Sequence, residues 1–370
     1  MPMLPGFPFC CTTTLLLTIL VPPQDPAPRP TTVDRLLVCN KAARSLSVFD
    51  PATRSEIANL PTGEGPHEVA VSPDGRTAVV TDYGARKPGT TLTLVDLVRC
   101  EVLRTVEPSR SETGADGATT TRVLPRPHGI AFVDATSVVF TSELSRRLAL
   151  FDLRTDRVVR TWTTTQRTMH MVALSPDRRT AHATSIEEGS LATFAIAGDA
   201  SDAAPSAATI VTTGAGAEGL AVNPRSGEVW VGNRAANSVT VVDPKSGKAS
   251  EPVATAEFPF RVVFTPDGAL ALVSCAEGGD VQVFDAATKK LVRSISIAAD
   301  GSELGAMPMG ICTDPEGARA YVACGRGEFV AVLDVASGRI VDKLDARQGP
   351  DGIAFARVPV ESTAPGTVTR

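Results

Sequence analysis

GPHEVAVSPDG, at residues 65–75, is the stretch of sequence that decides the fold. Similar phrases recur as RPHGIAF from residue 126, TMHMVALSPD from 168, GAEGLAVNPRSG from 216, FPFRVVFTPDG from 258, MPMGICTDPEG from 307 and GPDGIAF from 349. Aligning these phrases gives one column of seven residues: His67, His128, His170, Glu218, Phe260, Met309 and Asp351. Most of these column residues follow one another at intervals of 42 to 49 residues. A period in the low forties, with insertions in some loops, predicts a β-propeller.

Each repeat contains four short β-type runs separated by turn signals. In the second repeat the runs are 67–72, 77–82, 91–96 and 101–106, and the tight-turn sequence SPDG lies between the first two. Seven such repeats can be counted along the chain. We therefore expect an all-β protein folded as a seven-bladed β-propeller of four-stranded antiparallel blades.

The two ends of the repeat array complement each other. The array begins at 35–40, which matches the second run of a repeat, and ends at 349–356, which matches a first run. Pairing of these N- and C-terminal strands would complete the first blade, close the ring and protect its edges.

Residues 1–30 differ from the rest of the chain. An apolar run at 15–21 precedes a proline-rich stretch, which predicts a signal peptide and linker and hence a periplasmic or secreted protein. No Lys or Arg precedes the apolar run, so a cytoplasmic location is the alternative. The run is too short to span a bilayer. The predicted domains are this leader, the propeller at 31–356 and a disordered tail at 357–370.

Charge limits the class of partner. The 370 residues include 36 Lys and Arg against 41 Asp and Glu, which gives a net charge of -5. Binding to nucleic acid requires clustered basic residues, so nucleic acid is not an expected partner. We expect a monomer that binds a small molecule or a protein and has no transmembrane span.

Several conspicuous residues are expected to be structural. The cysteines after the leader form no CxxC motif, so we expect buried thiols rather than disulfides, zinc ligands or haem attachment. Aspartates end six of the third runs, as in Asp50 and Asp243, and are expected to fix turns. His182, in the middle of a second run, is expected to lie buried in its sheet.

The repeats resemble those of the YVTN-type, YncE-like propeller family. The matching stretches are LLVCN at 36, AVVTD at 78, VWVGN at 229 and YVACG at 321, the VFD and VVD endings of the third runs, and the SPDG-like turns. The resemblance covers about residues 35–356 and implies the propeller fold. The resemblance is compatible with either binding or catalysis, because the family includes binding proteins and is related to propeller lactonases and a lyase.

The column residues are expected to ring one mouth of the central channel. Ring closure places Asp351 beside His67, so that Asp351, His67, His128, His170 and Glu218 form a continuous polar arc. Phe260 and Met309 complete the circle as apolar side chains. This arrangement suits a small ligand with one polar edge.

The same arc has two further interpretations. His67, His128, His170 and Glu218 are donors suited to a divalent metal ion, which is the only cofactor that the sequence indicates. Alternatively, His67, His128 and His170 act as catalytic acids or bases without a metal. The structural alternative is that histidine merely suits this position in the repeat.

The ends of the second runs are expected to lie on the same face as the column residues. They contribute Asp82, Tyr83, Asn233 and Arg234 as further candidate ligand-binding residues, and Lys41 and Glu143 are expected beside them on this face. We therefore expect an exported propeller that binds a small molecule or protein at the channel mouth. The alternative is a metal-dependent or His acid/base hydrolase or lyase, similar to the propeller lactonases. Whether the protein is an enzyme is left open by the sequence.

Overall fold

The computed structural model describes residues 31–113, 116–197, 209–298 and 305–360. The predicted leader and residues 361–370 of the predicted tail lie outside these ranges.

The described residues form β-strands and one short helical turn. The first half contains β1 (Thr32–Asn40), β2 (Ser45–Asp50), β3 (Ser55–Pro61), β4 (Pro66–Val71), β5 (Thr77–Gly84), β6 (Pro88–Asp96), β7 (Glu101–Val106), β8 (Ser109–Thr113), β9 (Thr119–Val123), β10 (Pro127–Phe132), β11 (Ser137–Ser142), a turn of 3-10 helix (Glu143–Ser145), β12 (Arg147–Asp152), β13 (Arg157–Thr163), β14 (Met169–Leu174), β15 (Thr180–Ser185) and β16 (Ser190–Ala195).

The second half continues the meander. It contains β17 (Thr209–Thr212), β18 (Ala217–Val222), β19 (Val229–Asn233), β20 (Ser238–Asp243), β21 (Lys248–Ala249), β22 (Val253–Ala254), β23 (Pro259–Phe264), β24 (Leu270–Cys275), β25 (Asp280–Asp285), β26 (Leu291–Ser296), β27 (Pro308–Thr313), β28 (Arg319–Cys324), β29 (Phe329–Asp334), β30 (Arg339–Asp345) and β31 (Pro350–Pro359).

The strands assemble into seven antiparallel blades, which confirms the predicted propeller. The sheets after the first begin with inner strands β4, β10, β14, β18, β23 and β27, and each inner strand pairs with the strand that follows it. In the fifth blade the outermost strand is broken into two segments, β21 and β22, that both pair with β20. An additional hairpin, β8 with β9, precedes the third blade.

The first blade is built from both ends of the propeller. Its strand order is β3-β2-β1-β31, and β31 runs antiparallel to β1 from Asn40 opposite Pro350 to Thr32 opposite Pro359. The predicted start of the tail at 357 is therefore wrong. Residues 357–359 remain in the sheet because β1 begins at Thr32 and gives them pairing partners.

The hydrophobic core lies between neighbouring blades. One cluster joins Val79 and Leu94 of the second blade to Phe140 and Phe151 of the third, all of them at most 1% exposed. Each blade alternates its side chains between two faces, so every face packs against an adjacent blade. Closing the ring through β31 leaves no blade with an uncovered face.

Residues expected to be structural are found in structural positions. Asp50 Oδ1 accepts the Ala52 N–H at 2.8 Å, and Asp243 Oδ1 accepts the Lys245 N–H at 2.9 Å, which fixes the turns as predicted. The five cysteines of the described residues are free thiols. Burial raises the pKa of the Cys324 thiol to about 12. His182 is 1% exposed, and its Nδ1 lies 2.9 Å from Thr193 Oγ1 within the fourth blade.

The described residues contain no helix with the length and apolar character needed to cross a membrane.

Candidate functional site

Every inner strand begins with the same irregular backbone. The residue two positions before each column residue has a positive φ, between 49° and 72°: Gly65, Arg126, Thr168, Gly216, Phe258, Met307 and Gly349. The pairing register then shifts across the column residue in all seven blades. Such bulges re-aim side chains and often accompany functional sites. A left-handed conformation is costly for a residue such as Thr168, and such strain is concentrated at functional sites.

Hydroxyl groups tie these irregular points of neighbouring blades together. The Met171 N–H donates to Thr184 Oγ1 at 3.2 Å, and the Thr184 hydroxyl donates to the Glu218 carbonyl of the next blade at 2.7 Å. The same two kinds of bond are made by Thr141 and Ser274. These bonds satisfy backbone groups that the bulges leave unpaired and hold the column residues at fixed positions.

Five column residues form an unbroken chain of contacts. His67 Nδ1 lies 2.9 Å from Asp351 Oδ2, and the rings of His67 and His128 have centroids 4.2 Å apart. The centroids of His128 and His170 are 3.6 Å apart, and His170 Nε2 lies 2.6 Å from Glu218 Oε1. All five side chains are buried. The structure thus brings together the residues of the predicted arc.

His170 is held between two carboxylates. Its Nδ1 lies 2.6 Å from Glu143 Oε1, while Nε2 contacts Glu218. Burial alone would lower the pKa of His170, but Glu218 and Glu143 override this effect and raise the pKa above its ordinary value. Both ring nitrogens therefore act as donors in this arrangement, which corresponds to an imidazolium ion.

His128 has the opposite environment. It is 0% exposed, and neither Nδ1 nor Nε2 has a hydrogen-bond partner among the described residues. Burial lowers the pKa of His128 well below its ordinary value, and the neighbouring His170 and His67 lower it further. The ring is therefore neutral, with one nitrogen able to donate and the other able to accept. Buried polar atoms without a partner are costly, and they indicate a site where a ligand, water or ion binds.

Basic side chains anchor Glu218 and Asp351. Arg234 Nη1 lies 2.6 Å from Glu218 Oε2, and Arg261 Nη1 lies 3.2 Å from Glu218 Oε1. Burial would raise the pKa of Glu218, but His170, Arg261 and Arg234 lower it to about 2. Lys41 Nζ lies 3.4 Å from Asp351 Oδ2. Burial likewise opposes ionisation of Asp351, but His67 and Lys41 hold its pKa below the ordinary range.

One ion pair connects distant blades. Arg261 of the sixth blade contacts both Glu218 of the fifth blade and Glu68 of the second, and the side chain of Arg261 is 7% exposed. Glu68 and Arg261 each directly follow a column residue, where four of the other repeats have glycine. At one of those glycines, Gly352, an added Cβ would lie 2.0 Å from the His67 carbonyl oxygen.

Tyr83 and Arg126 position Glu143. The Tyr83 hydroxyl donates to Glu143 Oε2 at 2.9 Å, and Arg126 Nη1 lies 4.0 Å from the same oxygen. Burial and the charge of Glu143 raise the pKa of Tyr83 above its ordinary value, so the phenol remains protonated and donates. Glu143 begins the 3-10 turn between β11 and β12, and it is 4% exposed.

A cavity of about 470 Å³ adjoins the Asp351 end of the arc. Its lining includes the apolar side chains of Met307 and Met309 and the charged side chains of Lys41, Glu64 and Asp351. Asp351 therefore belongs to two features, because it contacts His67 on one side and lines the cavity on the other.

The other candidate residues are divided between the mouth and the blades. Phe260 is buried beneath the Arg261 guanidinium, whose Cζ lies 4.1 Å from the ring centroid. Tyr83 and Arg234 join the cluster through Glu143 and Glu218. Asp82 and Asn233 instead bond within their own blades. Asp82 accepts from Thr91 and Thr93 at 2.7 and 2.9 Å, while the Asn233 amide donates to Ser238 and Thr240 at 3.3 and 3.0 Å.

Glu68 and Arg261 were not identified from the sequence, whereas Lys41 and Glu143 were expected on this face but were not named as candidate ligand-binding residues. Glu68 and Arg261 carry a readable signal, since each places a charge at the position that is glycine in most repeats. Lys41 and Glu143 directly follow second runs, as Tyr83 and Arg234 do, and this position is the signal that predicted them on the same face.

Comparisons with known proteins support the fold. No family model and no curated protein matches the chain. A functionally unknown protein from Desulfotomaculum acetoxidans has a similar crystal structure, with a TM-score of 0.68 and 16% identity over 88% of this chain and 99% of that chain. Kuenenia stuttgartiensis hydrazine synthase gives a TM-score of 0.66 and 17% identity over 82% of this chain and 92% of that chain. At these identities the likeness is one of fold, and it places this chain among the β-propellers.

Proposed function

We propose that the protein is a binding module that captures a small molecule at the mouth of its channel. The observation that carries this proposal is the position of Asp351, which lines the 470 Å³ cavity and is fixed by Lys41 and His67. A concave, largely preformed pocket with an apolar wall and a few fixed polar groups is the usual form of a small-ligand site.

The lining favours a molecule with an apolar body and one oxygen-rich edge. Met307 and Met309 offer flexible apolar surface, which adapts to an irregular ligand. Lys41 has three donor hydrogens, and its contact with Asp351 leaves others to meet ligand oxygens. A small carboxylate or lactone fits this combination.

A thermal-shift screen of short- and medium-chain carboxylates and lactones tests the proposal. We expect compounds with an apolar chain to raise Tm by a few degrees in the wild type, because a ligand that binds only the folded state stabilises it. Met309→Trp should fill the cavity and remove this shift. Val341→Trp, on the exposed outer strand of the same blade, is the matched control and should retain it. Equal shifts in Met309→Trp and the wild type would place the ligand elsewhere. If no compound shifts Tm and a protein copurifies through this face, the module binds a protein instead.

A second candidate function is acid–base catalysis on the bound molecule, of the hydrolase or lyase type. It is favoured by the pairing of His67 with Asp351, because a histidine oriented by a buried carboxylate is a common general base. Turnover of lactones by the wild type, with loss of at least a hundredfold in His67→Gln at unchanged ligand binding, would support it. Binding without turnover would leave the protein a non-catalytic module.

The family and location are proposed on sequence features. Membership of the YVTN-type, YncE-like family rests on the repeated YVTN-like and VFD stretches, and export rests on the apolar run at 15–21. Fractionation of cells that express the full chain, followed by mass spectrometry of its N-terminus, tests export. A protein retained in the cytoplasm with residues 1–30 intact would contradict it.

A further inference from the structure

We infer that a divalent transition-metal ion binds between His128, His170 and Glu143. Ligand atoms of these three residues lie within 4.8 Å of one another, and all three side chains are buried. Two imidazoles and one carboxylate are a donor set used for Zn²⁺ and related ions, with a further coordination position left for water or a ligand.

His128 supplies the observation that points to an ion. It is fully buried with both ring nitrogens unpartnered, and it lies between the rings of His67 and His170. No described residue offers either ring nitrogen of His128 a hydrogen-bond partner. A metal ion would satisfy the nitrogen that carries a lone pair.

The surroundings of the other two ligands fit the same role. Glu218 contacts Nε2 of His170 and is itself held by Arg234 and Arg261, so a fixed carboxylate orients the ring while Nδ1 faces Glu143. Binding of the ion would displace the Nδ1 proton of the metal-free imidazolium, and the Nε2–H would still donate to Glu218. Carboxylate–histidine–metal arrangements of this kind are usual in metal sites. Tyr83 donates to one oxygen of Glu143 and leaves Oε1 facing His170.

This assignment revises the sequence-based ligand set. Glu143 replaces Glu218 as the carboxylate ligand. Glu218 already forms ion pairs with two guanidinium groups, and it contacts Nε2 of His170, on the opposite side of the ring from Glu143. His67 lies next to His128 but contacts Asp351, toward the cavity. The inference does not depend on the proposed small-molecule function, because none of His128, His170 and Glu143 lines the cavity.

Metal titration of the chelator-treated full-length protein tests the inference. We expect one equivalent of Zn²⁺ to bind by calorimetry, and one equivalent of Co²⁺ to give visible absorption bands typical of nitrogen and oxygen coordination. His128→Ala and Glu143→Gln should weaken Zn²⁺ binding at least a hundredfold, and Glu218→Gln should weaken it about 10- to 100-fold. His182→Asn removes the one histidine outside the arc and should bind Zn²⁺ as the wild type does.

Several results would overturn the inference. These are no Zn²⁺ binding by the wild type at millimolar metal, unchanged binding in His128→Ala, or loss of binding in His182→Asn. Unchanged binding in Glu143→Gln together with loss in His67→Ala would assign the metal to the His67, Glu68 and Asp351 group instead. Circular dichroism and Tm of each metal-free variant establish folding, and the near-isosteric Glu143→Gln keeps the test decisive if His128→Ala does not fold.

Discussion

His67 Nδ1 lies 2.9 Å from Asp351 Oδ2, and this contact joins the C-terminal strand of the propeller to the second blade. His67 belongs to the inner strand of the second blade, whereas Asp351 belongs to β31, which completes the first blade from the C-terminal side. Ring closure and the candidate site therefore share a residue. Asp351 also contacts Lys41, which directly follows β1.

Replacement of Asp351 should weaken both the ring and the site. Asp351→Asn removes the charge that pairs with His67 and Lys41, and we expect the free energy of unfolding to fall by about 2 kcal/mol in urea denaturation at pH 7. Asp342→Asn is the control, because Asp342 of the seventh blade pairs with the largely exposed Arg54 of the first blade and should contribute at most about 1 kcal/mol. Equal effects of the two substitutions would mean that the buried contact of Asp351 stabilises the fold no more than the exposed ion pair of Asp342 does.

Replacement of Asp82 should stabilise the protein at neutral pH. Burial raises the pKa of Asp82 to about 6, despite the hydrogen bonds from Thr91 and Thr93. Because this folded-state pKa exceeds the ordinary value of 3.8, stability is lost as pH rises from about 4 to about 6, and the loss persists above that range. The equivalent residues of two other blades, Asn40 and Asn233, are asparagines that donate to neighbouring hydroxyls.

We therefore expect Asp82→Asn to raise the free energy of unfolding at pH 7.5 by about 1–3 kcal/mol and to have little effect at pH 4. Urea denaturation at both pH values measures the difference. Asp243→Asn, in an exposed turn where the Ser246 hydroxyl and backbone donors lower the pKa of the carboxyl, should show no gain at pH 7.5. A destabilised Asp82→Asn variant at pH 7.5 would show that the carboxylate is needed in its ionised form.

His182 should make the protein sensitive to mild acid. Burial lowers the pKa of His182 to about 4, against an ordinary value of 6.5. Between pH 6.5 and 4 the unfolded chain therefore binds a proton at His182 that the folded protein does not bind. As the pH is lowered through this range, the free energy of unfolding falls by up to about 3 kcal/mol. His182→Asn should flatten this part of the curve of unfolding free energy against pH. An unchanged slope in the variant would contradict the assignment.

The hydroxyl of Thr184 should hold two blades in place. Thr184→Val keeps the shape of the side chain but leaves the Met171 N–H and the Glu218 carbonyl without their shared partner. We expect a loss of about 1–3 kcal/mol in the free energy of unfolding, since both groups are buried. Thr184→Ser retains the hydroxyl and should keep most of the stability. A larger loss in the serine variant than in the valine variant would attribute the effect to packing of the methyl group.

Features that repeat along the chain were predictable from the sequence. The blade count and the closing pair β1–β31 followed from the repeated phrases, because every blade uses the same order of strands and turns. The turn aspartates followed from their position before turn residues. The boundary at residue 356 was wrong because the pairing of 357–359 depends on how far β1 extends, and the repeat pattern does not report this.

Contacts that occur once in the molecule were not predictable in the same way. The pair between Arg261 and Glu68 joins residues 193 positions apart and depends on geometry across the ring. Asp82 and Tyr83 were placed together at the mouth, but alternation along β5 directs Asp82 toward β6 and leaves Tyr83 to contact Glu143. The repeat register predicted that the polar column residues lie side by side, whereas the partners of each side chain required the three-dimensional arrangement.

A crystallographic soak with a library of small carboxylates and lactones tests most directly whether the cavity at the channel mouth beside Asp351 binds small molecules. We predict electron density for bound compounds in the cavity, with their apolar parts against Met309 and their oxygens toward Lys41. Compounds bound only at other surfaces, with solvent alone in this cavity throughout the library, would contradict it.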